Sequence, residues 1–282
     1  MQGPVHFLNG KLVHEHDLMI SVRDLGFARG YAIFDFLVTY PTRRPFMLSK
    51  HIDRLFNSAQ LIGLSMPWSK QEIAEWVLQT LAANSEDEGG EKQIKVTVSG
   101  GISDSLLPIS KDSTLAIVVD PRHFLPRELY EQGAGIIMDK YTRYSPGAKT
   151  NNYIEGVKEA QVAQRQNAIE AVYYDDRQVF EASSSNIFAL IDRRLLTPKS
   201  NVLSGITREV LLDILELDVP IELADFSLEE LLVAEEVFLT GSNKEVLPIT
   251  RIDGKEVGNG KVGPLTKAAM TQFQQFTQST NW

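Results

Sequence analysis

The chain has no cysteine among its 282 residues, which excludes disulfides, thiolate nucleophiles and any metal site built on cysteine. It is also short of positive charge, with 28 lysines and arginines against 37 acids and a formal net charge of -9. A general nucleic-acid binder needs a basic face to meet the phosphate backbone, so that class is excluded and only a local basic pocket stays open. No apolar run approaches the roughly 18 residues needed to cross a bilayer. The opening stretch MQGPVHFLNGKLVHEHD lacks the basic-then-apolar layout of a secretory signal. A cytoplasmic protein with no membrane partner is expected. Histidines are few, and neither the His14 and His16 loop nor His51 at a helix start shows ligand spacing, so no metal is expected.

What is present is the composition of an ordinary globular protein, 43% hydrophobic and 23% charged. The length suits two domains. PVHFLNGKLV reads as a β-hairpin turned by Asn9-Gly10, the dipeptide that most readily takes positive φ. YAIFDFLVTY reads as a strand and RRPFMLS as its return strand. Ser49 then caps a helix whose apolar residues Ile52, Leu55, Phe56, Ala59 and Ile62 share one face, with Arg54 off that stripe. Ser69 and Glu72 form a capping box for the next helix. ANSEDEGGE, residues 83–91, reads as a solvated acidic loop, and QIKVTVSGG and STLAIVVD as strands. PRHFLPRELYEQG breaks the pattern and reads as a connection between domains. The expected domains are 1–120, a connecting loop over 121–133, and 134–282. Short strands interleaved with helices in the second half, including a capped helix from Ser227, predict an α+β fold. No internal repeat or low-complexity tract is visible.

Several residues could carry chemistry. Lys149 stands in SPGAKTNNYIEG between a Pro-Gly turn and a polar run. In LSGITRE, Gly205 allows a tight turn before Ile206 and Thr207 open a helix, and the unpaired first amides of a helix suit a phosphate. Arg54 could add a guanidinium to such an anion, and Ser242, after a strand end and a glycine, a hydroxyl. Glu181 opens EASSSNIF, where a carboxylate between two apolar strands calls for a partner.

In order, HIDRLFNSA, AKTNNY, EASSSNIF, LSGITRE and EVFLTGSNKEVLPITRIDGKEVGNGKVGPLTK resemble the motifs of class IV pyridoxal-phosphate aminotransferases over essentially the whole chain. The resemblance implies the fold type IV architecture, with a small α/β N-terminal domain and a larger pseudo-barrel domain that binds pyridoxal 5'-phosphate. It implies Lys149 as the amine that forms the Schiff base and shuttles the proton. Arg54, the backbone of Ile206 and Thr207, and Ser242 would hold the phosphate. Glu181 would pair with the ring nitrogen, Tyr153 with the phenolate oxygen, and Leu203 would press on the ring. The family also implies a homodimer.

The pattern departs from the family at the substrate carboxylate. D-amino-acid enzymes use an Arg-x-His pair and branched-chain enzymes a Tyr-x-Arg pair, where this chain has KVTVSGGIS and no arginine between Arg54 and Arg122. Arg29, just before the strand carrying Phe34, is the expected replacement, with Lys95 and Arg143 as the other candidates. HIDRLFNSA and EASSSNIF resemble the D-amino-acid branch and Asn152-Tyr153 the branched-chain branch. The expected activity is transamination between D-amino acids and a 2-oxo acid such as 2-oxoglutarate. The alternatives are a branched-chain L-amino-acid aminotransferase, a lyase like the aminodeoxychorismate enzyme, and a weakly catalytic cofactor-binding protein.

Overall fold

The computed structural model describes residues 3–84, 90–104, 112–279 and 282. Residues 85–89 of the expected acidic loop lie outside the described residues. The chain forms two compact units, Met1–His123 with Ala148–Asn152, and Phe124–Gly147 with Tyr153–Trp282. The short segment carrying Lys149 therefore groups with the first unit.

In the first unit, β1 (Val5–Leu8) and β2 (Lys11–His14) form the expected hairpin, with Asn9 and Gly10 both at positive φ (47° and 90°) as a two-residue turn of this hand requires. Then come α1 (Leu25–Arg29), β3 (Ala32–Val38), α2 (Leu48–Ile62), α3 (Lys70–Ala82), β4 (Lys92–Ser99) and β5 (Thr114–Pro121). The strands pair in the order β2-β1-β5-β4-β3, antiparallel throughout. Ile33, Leu37, Ile94, Val96, Val98, Leu115 and Ile117 build the core with Ile52, Leu55 and Ala59 of α2 and Ile73 and Val77 of α3. The Ser69–Glu72 capping box is present.

Two local expectations are corrected. RRPFMLS is not a return strand: it makes one isolated bridge, Thr39 to Pro45, because Pro41 and Pro45 lack the N–H a ladder needs and Arg43 turns the chain at φ 57°. Ser49 is not the cap either. The helix starts at Leu48 after Met47 in the left-handed region, so Ser49 lies inside its first turn.

The second unit contains α4 (Arg127–Gln132), β6 (Ala134–Lys140), α5 (Ile154–Arg165), β7 (Glu170–Tyr174), β8 (Val179–Ala182), β9 (Asn186–Ile191), β10 (Arg194–Thr197), α6 (Ile206–Ile214), β11 (Ile221–Leu223), α7 (Leu228–Leu232), β12 (Glu236–Gly241), β13 (Glu245–Ile252), β14 (Lys255–Glu256) and α8 (Pro264–Gln278). Its sheet runs β11-β10-β9-β12-β13-β6-β7-β8, with β14 on β13. β8 and β9 lie five places apart in that order, about 24 Å on a flat sheet, yet only Ser183–Ser185 joins them. Four Cα steps reach about 15 Å at most, so the sheet must curl back on itself, as a pseudo-barrel does. The α+β class holds in both units. α8 was not anticipated, although Pro264 at its first position and the buried Ala269 and Phe273 are its signature. Among the described residues no helix is long and apolar enough to cross a membrane.

Candidate active site

In the first unit, β3 turns alternate residues to opposite faces, as any strand does. Ile33, Asp35 and Leu37 go to the core, while Phe34 and Phe36 stay half-buried on the other face. Residues 149–151 lie along the free edge of β3. Phe34 N donates to the Lys149 carbonyl and Asn151 N to the Ala32 carbonyl, both at 2.9 Å, and Ile33 bridges Thr150. This places the Lys149 Nζ 4.7 Å from the centre of the Phe34 ring, and Lys95 Nζ lies 4.8 Å from the same ring. Burial pushes the Lys95 ammonium below its ordinary pKa.

Behind β3, α2 offers a second, polar stripe at helical spacing: His51, Arg54 and Ser58. Asp35 is 1% exposed and accepts from Arg54 through Nε (2.9 Å) and Nη2 (2.8 Å). It meets His51 Nδ1 at 2.6 Å. Burial alone would push the Asp35 carboxyl up, but the adjacent Arg54 and His51 pull it far below the usual carboxylate range. His51 is held below its ordinary value by burial, against the pull of Asp35, with Arg54 and Lys149 adding to the depression. A neutral ring donating Nδ1–H to Asp35 leaves Nε2 as an acceptor, and among the described residues that atom is buried without a partner. Ser58 Oγ donates to the Arg54 carbonyl (2.9 Å) and accepts from Lys149 N (3.0 Å). Lys149, Phe34 and Arg54 are thus brought into one network. Arg29 is not part of it: it is exposed at the end of α1 and donates to the Ala28 carbonyl at 2.7 Å.

In the second unit, Glu181 is 4% exposed on β8. It accepts from Arg143 Nη1 (2.5 Å), Asn186 Nδ2 (3.1 Å) and Leu203 N (3.0 Å). Asn186 Nδ2 also donates to the Leu203 carbonyl at 2.9 Å, which locks the residue preceding the SGIT turn. Gly205 is the N-cap of α6 and provides no side-chain cap, so the first amides at Ile206 and Thr207 meet no capping group from it. A Cβ at Gly205 would lie 1.8 Å from Asn186 Oδ1, and only glycine fits there. Gly205→Ala is therefore expected to cost about 1–3 kcal/mol, read as a lower melting temperature, because it drives Asn186 off Glu181 and Leu203.

Tyr153 is the N-cap of α5, its ring 3.3 Å from where a Cβ on Gly156 would stand. Ser242 is half-buried in the β12–β13 turn, beside Gly241, where a Cβ would sit 3.6 Å from the Ser184 carbonyl and Ser185 Oγ. Glu181 and Leu203 are therefore linked through Asn186, which also lies against Gly205 just before Ile206 and Thr207, and Gly241, the neighbour of Ser242, adjoins the serine turn. Arg143, one of the other candidates for the substrate carboxylate, donates through Nη1 to Glu181. Asp139, Glu155 and Glu159 form an acidic group with ligand atoms within 4.8 Å of one another, and Lys158 Nζ already approaches Glu155 (2.6 Å) and Glu159 (3.5 Å). Sequence reasoning passed over Asp35, Asn186 and Glu170, and weighed His51 only as a metal ligand. An acid inside an otherwise apolar strand was the available signal for Asp35, and an asparagine at a strand start the signal for Asn186.

Comparison with known proteins follows these motifs. The family model described as amino-transferase class IV matches residues 32–252. A D-alanine aminotransferase of Listeria monocytogenes is 31% identical over 269 residues, 92% of this chain and 91% of that protein. A Methanocaldococcus jannaschii protein provisionally named a branched-chain-amino-acid aminotransferase is 32% identical over 288 residues, 98% and 96% of the two chains. Among solved structures, a branched-chain aminotransferase of Thermoproteus uzoniensis with norvaline superposes with a TM-score of 0.88 at 26% identity, covering 97% and 94% of the two chains.

Proposed function

The chain belongs to the class IV aminotransferase family, and on that premise we propose that it transfers amino groups between D-amino acids and a 2-oxo acid such as 2-oxoglutarate. Pyridoxal 5'-phosphate is the cofactor of the family. The observation that carries the reading is Glu181: a buried carboxylate fixed in place by three donors, the kind of acidic partner that keeps a bound pyridine nitrogen protonated. The glycine at 205, with no side chain over the first amides of α6, fits an anionic group in the same way.

When bound, the cofactor supplies an electron sink for the carbanion left by loss of the substrate's α-proton. The chain's residues do the rest. Glu181 keeps the ring nitrogen protonated. The Ile206 and Thr207 amides, the Ser242 hydroxyl and Arg54 hold the phosphate. Asp35 orients Arg54 through Nε and Nη2. Tyr153 donates to the phenolate oxygen and Leu203 packs on the ring. Lys149 carries the cofactor and takes and returns the α-proton at Nζ. Phe34 walls the substrate beside that amine.

The likeness to D-alanine aminotransferases over nine-tenths of both chains supports the D preference. Tyr153 and the Methanocaldococcus jannaschii relative favour a second reading, a branched-chain L-aminotransferase. The test is to saturate the protein with pyridoxal phosphate, add D-alanine or L-leucine, and follow the visible spectrum. A response to D-alanine is expected. A response to L-leucine alone selects the second reading, and repeated turnovers of pyruvate release from aminodeoxychorismate with no 2-oxo acid present select a lyase.

For the substrate carboxylate we propose Arg29, with Lys95, 4.8 Å from the centre of the Phe34 ring, and Arg143 as the other cations. Arg29→Ala is expected to raise the KM for D-alanine about tenfold or more, the worth of one charged hydrogen bond. An unchanged KM removes Arg29 and leaves Lys95 and Arg143. We also propose a cytoplasmic homodimer: Met19, Ile20, Val22 and Phe27, in one stretch at α1, are 52–73% exposed, a self-association surface in character.

A further inference from the structure

A second buried carboxylate in the second unit has no role in the scheme above. Glu170 opens β7 and is 4% exposed. Its Oε2 accepts from Ser183 Oγ (3.0 Å), Ser184 Oγ (2.9 Å) and Ser184 N (2.9 Å). Its Oε1 accepts from Ser185 Oγ (2.6 Å) and lies 3.2 Å from Lys244 Nζ. Lys244 Nζ donates in addition to Ser184 Oγ at 2.8 Å. Burial pushes the Glu170 carboxyl up, but the Lys244 ammonium and the serine donors outweigh it and hold the group ionised.

A buried ion pair gives little net stability compared with apolar side chains of the same shape, because desolvation offsets the attraction. What distinguishes this one is where its partners lie. Three are the consecutive serines that join β8, carrying Glu181, to β9, which begins at Asn186. The turn is closed by Ala182 N on the Ser185 carbonyl (2.8 Å) and tied to β7 by Ser183 N on the Ala171 carbonyl (2.9 Å). Lys244 belongs to the neighbouring β12–β13 turn, anchored by its own N–H on the Gly241 carbonyl (3.1 Å) and by Tyr130 on its carbonyl (3.1 Å). One carboxylate therefore holds all three residues of the short turn across which Asn186 grips Glu181.

We propose that Glu170 and Lys244 are a positioning pair that locks the Ser183–Ser185 turn and so sets the orientation in which Glu181 meets the cofactor. The inference rests on the cofactor role proposed for Glu181. It predicts coupling between residues 170 and 181, which a purely structural role would not produce.

The measurement is the dissociation constant for pyridoxal phosphate, titrated without substrate, in four proteins: wild type, Glu170→Gln, Glu181→Gln and the double variant. Glu170→Gln is expected to weaken binding about tenfold in the wild-type background and less than twofold once Glu181 is glutamine. Equal factors in both backgrounds overturn the inference. Should Glu170→Gln not fold, Glu170→Leu with Lys244→Met removes both charges together and is compared across the same two backgrounds. If Glu181→Gln alone leaves the affinity unchanged, the role of Glu181 fails first and this inference falls with it.

Discussion

Lys149→Ala is expected to abolish transamination, with kcat down roughly 10^4-fold or more, while the melting temperature of the cofactor-free protein moves by no more than about 2 °C. The first half follows from what the side chain does: it is both the amine that holds the cofactor and the base that moves the α-proton, and losing either role alone costs about 10^2 to 10^4-fold. The second half follows from how the position is held. The segment is secured through its backbone, by Lys149 N on Ser58 Oγ at 3.0 Å and the Lys149 carbonyl on Phe34 N at 2.9 Å, and alanine keeps both bonds. The fold loses the contact between the ammonium and the Phe34 ring, worth about 0.5–1 kcal/mol where solvent reaches it.

Two readouts separate this outcome from general damage. Borohydride treatment of cofactor-saturated wild type should fix the cofactor to residue 149 and to no other, and the alanine variant should carry no tag. A small alkylamine added to Lys149→Ala should restore part of the activity, because proton transfer then has a base of the right chemistry. Wild-type protein tagged elsewhere, or a variant within tenfold of wild-type kcat, would sink the assignment of Lys149.

The elements legible in the sequence were those whose signal is local. Asn9-Gly10 dictates its own backbone angles, Ser69 and Glu72 satisfy each other within one turn, and both behave in the structure as read. Motif order carried the family, since HIDR, AKTNNY, EASSSN and GIT are contiguous strings. What was not legible depends on which strands become neighbours. Nothing near Lys149 says that residues 149–151 run along the edge of β3, more than a hundred residues earlier in the chain. Asp35 sits in IFDFLV, where alternation places it with Ile33 and Leu37 on the core face. Only the packing of α2 behind β3 shows that His51 and Arg54 wait there to meet it. Glu170 likewise reads as one acid in a short strand until the curl of the sheet brings three serines and a lysine to it.

Asp35→Asn is expected to lower the melting temperature by about 10 °C and to weaken pyridoxal phosphate binding at least tenfold, without touching Lys149. Asparagine keeps the shape but removes the charge, so Arg54, only 10% exposed at its side chain, loses its ionic partner, and breaking a buried pair from one side costs about 3–5 kcal/mol. In a chain of this size each kcal/mol is worth about 2–4 °C. The affinity falls because Arg54 is no longer held in one plane by Nε and Nη2. The variant also changes the response to acid, and the sign is fixed by the two shifts. Asp35 has a depressed folded pKa, so its stabilisation is present above the ordinary aspartate value near 3.9 and is lost as pH falls toward the folded value. His51 is also depressed. The unfolded chain binds its proton first as pH falls through about 6.5, and the folded state loses ground there too. Wild type should therefore lose stability steadily on acidification from neutral pH, and Asp35→Asn should start lower and lack the component below about pH 4. Melting curves from pH 7 to 3 measure this directly. Parallel curves for the two proteins would show that Asp35 is not the ionised centre of this network.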